Sequence, residues 1–245
     1  MYNDFAEVYD RLQDADYEKF VDYYEEIFQR YGKKPELVLD LACGTGNITI
    51  PMSKRGYDMI GIDLSCEMLN IAREKAFDEE QSILFLNQDM SEFELYGTVD
   101  AIVCALDGIN YITDKEMLQK VFMLVANYLN PGGIMVFDIN SEYKLSRILG
   151  NNTFVNEEQG IYYVWRNNYS PDTKICEFEL NFFEEQENGE YLRFDEFQEE
   201  RAYSPKEIEN IVQNAKLNLE GFFRPFSFEN SKETDERIFV VITKP

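Results

Sequence analysis

The feature that most restricts this chain is a short apolar run, Leu37-Val38-Leu39-Asp40-Leu41, that passes at once into Ala42-Cys43-Gly44-Thr45-Gly46. Such a run is long enough for a buried strand, and its near lack of polar alternation predicts burial on both faces, as in a parallel sheet. The glycines then open a helix expected from about Ile48 to Arg55, with Pro51 tolerated in its first turn and Gly56 near its end. Strand, turn and helix form half of a repeating unit, and the sequence repeats it. Met59-Ile60-Gly61-Ile62-Asp63 is the next strand, and Ser65 caps a helix from about Cys66 to Ala76. Ile83 to Leu86 and Val99 to Ala105 are further strands, and Thr113-Asp114-Lys115-Glu116 reads as a capping box for a helix ending near Leu129. Asn130-Pro131-Gly132-Gly133 turns the chain into the strand Ile134 to Ile139. This alternation predicts an α/β fold, a Rossmann-like and mostly parallel sheet with helices on both faces.

Two stretches have a different texture. From Phe5 to Tyr31 apolar residues recur at helical spacing (Phe20, Tyr23, Tyr24, Ile27, Phe28, Tyr31) and stop at Gly32, which predicts a helical N-terminal segment. From Thr153 to Arg201 aromatic and charged residues alternate loosely, broken by Ser170-Pro171-Asp172 and Glu187-Asn188-Gly189-Glu190, the pattern of antiparallel hairpins. Ser204-Pro205-Lys206-Glu207 is a second capping box with proline at the first helical position, and strands follow at about Leu217 to Phe226 and Arg237 to Thr243. The expected organisation is a helical lid over 1–34, a sheet domain over 35–150 and 202–245, and an antiparallel β insertion over 151–201 on the substrate side.

Composition narrows the function. With 47 acidic against 23 basic residues the net charge is −24, which repels phosphate backbones and anionic lipid, so neither nucleic acid nor membrane is an expected partner and a small molecule is. No apolar run reaches the roughly 18 residues that span a bilayer, and Met1-Tyr2-Asn3-Asp4 carries acid where a secretion signal carries base. Cys43, Cys66, Cys104 and Cys176 lack metal or disulfide spacing, so a reduced, cytoplasmic protein without a metal is expected. The sequence has no histidine, which removes the commonest general base.

A glycine turn between strand and helix presents backbone N–H groups and a positive dipole end at the carboxyl edge of the sheet, where an anionic group can bind. Asp63 closes the next strand roughly 20 residues on, the usual distance for a carboxylate that accepts ribose hydroxyls. Gln88-Asp89-Met90 follows the third strand at the same edge, where a carboxylate can accept an adenine amino group. The turn alone fits a dinucleotide equally well. A nicotinamide-dependent oxidoreductase would favour a third glycine near Thr49, which is absent.

Val38 to Thr49 resembles the first motif of class I S-adenosylmethionine (SAM)-dependent methyltransferases. The resemblance extends through Gly61-Ile62-Asp63-Leu64-Ser65, Gln88-Asp89-Met90, Asp100 to Cys104 and Leu129-Asn130-Pro131-Gly132-Gly133, and the last two strands resemble that fold's terminal hairpin, with an antiparallel last strand. Ala42 departs from the pattern, where many members carry another glycine. The resemblance implies SAM as cofactor, S-adenosylhomocysteine as product, and a division of labour. Ala42, Cys43, Gly44, Thr45 and Gly46 would hold the methionine end, Asp40 its ammonium, Asp63 the ribose, and Asp89 with Met90 the adenine, with Leu64, Gln88 and Leu106 also in the cofactor site. Leu106 and Asp107 would lie near the sulfonium, and Asp107 to Tyr111 would face the acceptor. If the acceptor must lose a proton, Asp107, Tyr9 and Tyr111 are the candidates. Tyr2, Phe5, Tyr9 and Tyr17 suggest an aromatic lid. Tyr162, Tyr163, Trp165, Phe178, Phe182 and Phe183 are expected mostly to form the insertion's own core. A SAM-binding module without turnover carries the same residues.

Overall fold

The computed structural model describes residues 3–12, 15–186 and 188–245, with backbone alone at 3–5 and 7. Helices α1 (Asn3–Leu12) and α2 (Tyr17–Arg30) precede the alternation β1 (Leu37–Leu41), α3 (Thr49–Lys54), β2 (Asp58–Asp63), α4 (Cys66–Asp78), β3 (Leu84–Asn87), β4 (Val99–Cys104), α5 (Lys115–Tyr128) and β5 (Leu129–Asn140). Four strands follow, β6 (Thr153–Glu158), β7 (Ile161–Ser170), β8 (Ile175–Glu185) and β9 (Tyr191–Arg201), then α6 (Pro205–Asn214), β10 (Asn218–Phe223) and β11 (Arg237–Thr243).

The main sheet runs β3-β2-β1-β4-β5-β11-β10, with β1 to β5 parallel and β11 antiparallel to both its neighbours. Strand order reverses between β1 and β4, so the chain leaves these two strands in opposite directions and opens a crevice at their carboxyl ends. Alternation along β5 supplies both faces: Met135, Phe137 and Ile139 pack with Phe122 and Val121 of α5 and Ile208 of α6. Ile134 and Val136 pack on the other face with Phe20, Tyr24, Ile27 and Phe28 of α2. Each fully buried aromatic or aliphatic side chain in these layers contributes about 1.5–3 kcal/mol.

The second sheet is antiparallel in the order β6-β7-β8-β9. Its cross-strand rows place Trp165, Leu180 and Glu196 side by side, and likewise Tyr163, Phe182 and Phe194, Asn167, Phe178 and Gln198, and Tyr169, Cys176 and Glu200. One face therefore grades from aromatic on β7 and β8 to carboxylate and amide on β9.

The elements differ from expectation where a local bond outcompetes a pattern. The single helical N-terminal segment is two helices, because the Asp16 carboxylate accepts the Lys19 N–H at 3.2 Å and starts α2 anew. Asp114, not Thr113, caps α5, accepting from the Glu116 and Met117 N–H groups at 2.7 and 3.1 Å. The turn at 130–133 is drawn into β5 by paired bonds with the end of the chain, Gly132 N–H to Lys244 O and Lys244 N–H to Gly133 O, each 3.0 Å. A π-helical turn, Lys144–Leu149, was not legible. The Ser204–Glu207 capping box and β11 form as expected. No helix among the described residues is long and apolar enough to cross a membrane.

Candidate active site

A cavity of about 880 Å3 lies between the carboxyl edge of the main sheet and the second sheet, and every sequence-predicted site residue except Gly46 borders it. Gly46 is closely packed: at φ +80°, a Cβ there would stand 3.2 Å from Ile50 and 3.3 Å from Ala72. The volume is near the upper end of ligand sites, enough for a cofactor and an acceptor together.

Ala42, Gly44 and Gly46 all take left-handed backbone, at φ +56°, +54° and +80°. Alternating left-handed positions turn successive N–H groups toward one concavity, which suits an anion. Gly44 needs its freedom, and a Cβ there would project into open space, the room a ligand would use. Ala42 adopts the same conformation with a side chain, at a cost of about 1 kcal/mol; the departure noted in the sequence is a strained one.

The turn is tied to β2. The Gly44 and Ser65 N–H groups each donate to one oxygen of Asp63 at 2.8 Å. Each oxygen keeps a lone pair for a hydroxyl, and burial raises the Asp63 pKa despite those backbone bonds. Asp40 is 1% exposed and accepts the Thr49 hydroxyl at 2.6 Å. Burial raises its carboxyl to about 7, with Asp63 adding to the rise and Thr49 opposing it. Thr49 occupies the place of a dinucleotide motif's third glycine, and its hydroxyl is committed to Asp40. Asp89 accepts the Ser91 N–H at 2.7 Å, while the Gln88 side chain accepts the Glu94 N–H at 2.7 Å and so braces the adjoining loop. The Cys43 thiol is buried and its pKa raised by that burial, so it stays protonated.

At the end of β4, Leu106 and Asp107 are both left-handed, φ +53° and +58°. The Asp138 carboxylate, fully buried at the end of β5, holds them there: it accepts from the Leu106 N–H at 2.9 Å and the Asp107 N–H at 3.1 Å. Arg237 from β11 pairs with Asp138 and, at 2.8 Å, with Asp107. Burial works against the guanidinium charge, but the two carboxylates outweigh it and keep Arg237 protonated. Asp107 thus reaches the cavity as one arm of an ion triad.

Tyr9 and Tyr111 line the cavity, and in both burial drives the phenol pKa upward, with Asp107 nearby adding to it. Phenols raised in this way stay protonated and are poor proton acceptors; the Tyr111 hydroxyl donates to Gln198 at 3.1 Å. Tyr17 packs with the α2 layer, and Tyr2 and the Phe5 side chain lie outside the described residues. Tyr163, Trp165, Phe178 and Phe182 do more than form a core: they also border the cavity, whereas Tyr162 is 39% exposed.

Sequence reasoning missed three groups. Asp10 of α1 accepts from Thr45 at 2.6 Å, Asn47 at 2.8 Å and Lys75 of α4 at 2.9 Å, and Arg11 pairs with Glu184 of β8 at 2.6 Å. Asp138 and Arg237 form the triad. Asn140 donates to Glu200 at 2.7 Å, while its own N–H is accepted by Asn110 at 2.9 Å. The one available signal was Phe137-Asp138-Ile139-Asn140, two polar residues at the carboxyl end of an apolar strand.

Comparison with known proteins identifies the family. Residues 38–133 match the family model of a methyltransferase domain. A putative methyltransferase of Bacillus subtilis (strain 168), YqeM, is 35% identical over 98% of this chain and 95% of its own length. The crystal structure of a SAM-dependent methyltransferase from Clostridium acetobutylicum ATCC 824 is 36% identical, with 99% of this chain and 98% of that one covered and a TM-score of 0.91. Over 55% of this chain and 56% of its own length, a dTDP-3-amino-3,4,6-trideoxy-alpha-D-glucopyranose N,N-dimethyltransferase of Streptomyces venezuelae is 30% identical. The chain belongs to the class I SAM-dependent methyltransferases, and its cofactor is SAM. The oxidoreductase reading is thereby set aside.

Proposed function

We propose that the protein transfers the methyl group of SAM to a small molecule that enters between the main sheet and the second sheet. The observation that carries this is the single continuous cavity running from Asp40, Gly44 and Asp63 to Trp165, Phe178 and Glu200. A relative that acts on a nucleotide-linked sugar supports an acceptor of this size. The four free thiols support a reducing compartment, the cytoplasm.

The residues present fit SAM. Asp40 offers a buried carboxyl for the ammonium, Asp63 spare lone pairs for the ribose, and Asp89 with Met90 a place for the adenine. SAM supplies a methyl carbon already activated by the sulfonium. The chain supplies position and dryness, which in favourable intramolecular cases are worth about 7–11 kcal/mol. Asp138 and Arg237 fix Leu106 and Asp107 in the strained turn that faces the acceptor, and Tyr9 and Tyr111 donate hydrogen bonds there. The α1 segment acts as a lid, clamped to the glycine turn through Asp10 and to β8 through Arg11. The test is incubation with methyl-labelled SAM and a cell extract separated by size. Label in the low-mass fraction supports the proposal, and label confined to macromolecules contradicts it.

A further inference from the structure

The acceptor half of the cavity has its own electrostatic character. Glu196 and Glu200 lie four residues apart on β9, on the face shared with Trp165 and Phe178, and both border the cavity. Glu200 is 4% exposed, with one oxygen accepting the Asn140 amide at 2.7 Å. Its other oxygen accepts no hydrogen bond from a described residue. The Trp165 indole N–H on the same wall is likewise buried without a partner among the described residues.

Lys144 and Arg237 attract the Glu200 charge from nearby, but neither bonds to it. Arg237 is held by Asp138 and Asp107, and Lys144 donates to Asn140 at 2.8 Å and forms no ion pair among the described residues. Burial, reinforced by repulsion from Asp107 at the end of β4, raises the Glu200 pKa well above the ordinary range against the opposing pull of the Asn140 bond, Lys144 and Arg237. A buried carboxyl left this way is costly until a cation arrives. Aromatic faces beside it favour the same charge.

The geometry points to an amine as the methyl acceptor, received as its ammonium between Glu196, Glu200 and the Trp165–Phe178 wall, with Glu200 taking the proton. This rests on the methyl-transfer reading above. The Glu200 carboxyl, protonated in the free protein, gives its proton to solvent as the ammonium binds beside it; the ammonium then gives one N–H proton to the carboxylate, and the freed nitrogen lone pair attacks the methyl carbon. The N–C bond forms as the C–S bond breaks, its electron pair passing to sulfur, and a methylated ammonium leaves. Glu200 then returns the proton to solvent. Glu200 is a catalytic residue in this scheme, and Glu196 orients the ammonium.

The test uses the full chain, methyl-labelled SAM and a low-mass cell extract in two portions, one with its amines blocked by an acylating agent. Label transfer to the untreated portion and its loss after blocking are expected. Transfer that survives blocking overturns the amine assignment and leaves the small-molecule reading intact, whereas no transfer to either portion counts against both. With the labelled acceptor in hand, Glu200→Gln is expected to lower kcat about a hundredfold. Its S-adenosylhomocysteine affinity should stay within twofold, and the rise of rate with pH should move to the acceptor's own ionisation. Glu196→Gln, at a less buried position, should raise KM for the acceptor about tenfold with kcat little changed. If either variant weakens SAM but not S-adenosylhomocysteine, the carboxylates serve the sulfonium and the inference fails.

Discussion

Asp40 ties the cofactor's grip to pH. Its carboxyl lies at about 7 against an ordinary 3.8, chiefly because burial disfavours the charge. An ammonium seated beside it stabilises the ionised form, so affinity must fall as protons compete below pH 7. With a value near 7 before binding and full ionisation in the complex, binding at pH 5.5 should be about twenty-fivefold weaker than at pH 7.5, close to 2 kcal/mol. Isothermal titration with S-adenosylhomocysteine, which keeps the ammonium, measures this directly. Asp40→Asn should flatten the profile and weaken binding at pH 7.5 by at least tenfold. A small slope should persist, because Asp63 is also raised but faces an uncharged ribose. The empty protein should show the opposite sign in stability. Asp40 holds its proton when folded and loses it when unfolded between about pH 3.8 and 7, so its contribution is full on the acid side and is lost as pH rises through 7. The difference is equivalent to at most about 4 kcal/mol, and Asp40→Asn should remove most of it. A wild-type affinity independent of pH, or an unchanged slope in Asp40→Asn, would refute the assignment.

Other parts of the site give sharper single outcomes. Asp63→Ala should weaken S-adenosylhomocysteine by about 1.5–3 kcal/mol through the lost ribose contact, and unchanged affinity in a folded variant would count against that role. Asp10→Ala should speed cofactor release about fivefold in stopped-flow fluorescence, equivalent to about 1 kcal/mol once the partial exposure of the Asp10–Lys75 pair is discounted; an unaltered rate would mean that α1 is not a lid. Arg237→Met should destabilise the fold by about 3–5 kcal/mol in urea titration, since Asp138 is left buried without its cation. Gly61→Ala should lower Tm by several degrees, because its Cβ would stand 2.7 Å from the Phe85 ring and 2.9 Å from the Cys43 sulfur.

The parallel half of the fold was legible because its signals are local. An apolar run, a glycine turn and Asp63 fall within 27 residues, from Leu37 onward, and pairing in sequence order needs no distant information. The division between α1 and α2 hung on one Asp16 side-chain bond, too weak a signal against the helical spacing of six apolar residues. The acceptor side was unreadable for another reason. Glu200 looks like one more charge in an acidic stretch, and only the registers that set it beside Cys176, together with Asn140 beneath it, bury it. Asp138 and Arg237 lie 99 residues apart in the chain, and their pairing depends on the last strand folding back beside β5. Asp107 was found by position, but its partner Arg237 makes it part of a brace as well as a cavity wall.

A crystal structure with S-adenosylhomocysteine tests the central claim most directly. The account predicts ribose hydroxyls on the two Asp63 oxygens, the ammonium at Asp40, and sulfur facing the space between Asp107 and Glu200. Product bound elsewhere, or with its sulfur turned away from β9, would contradict it.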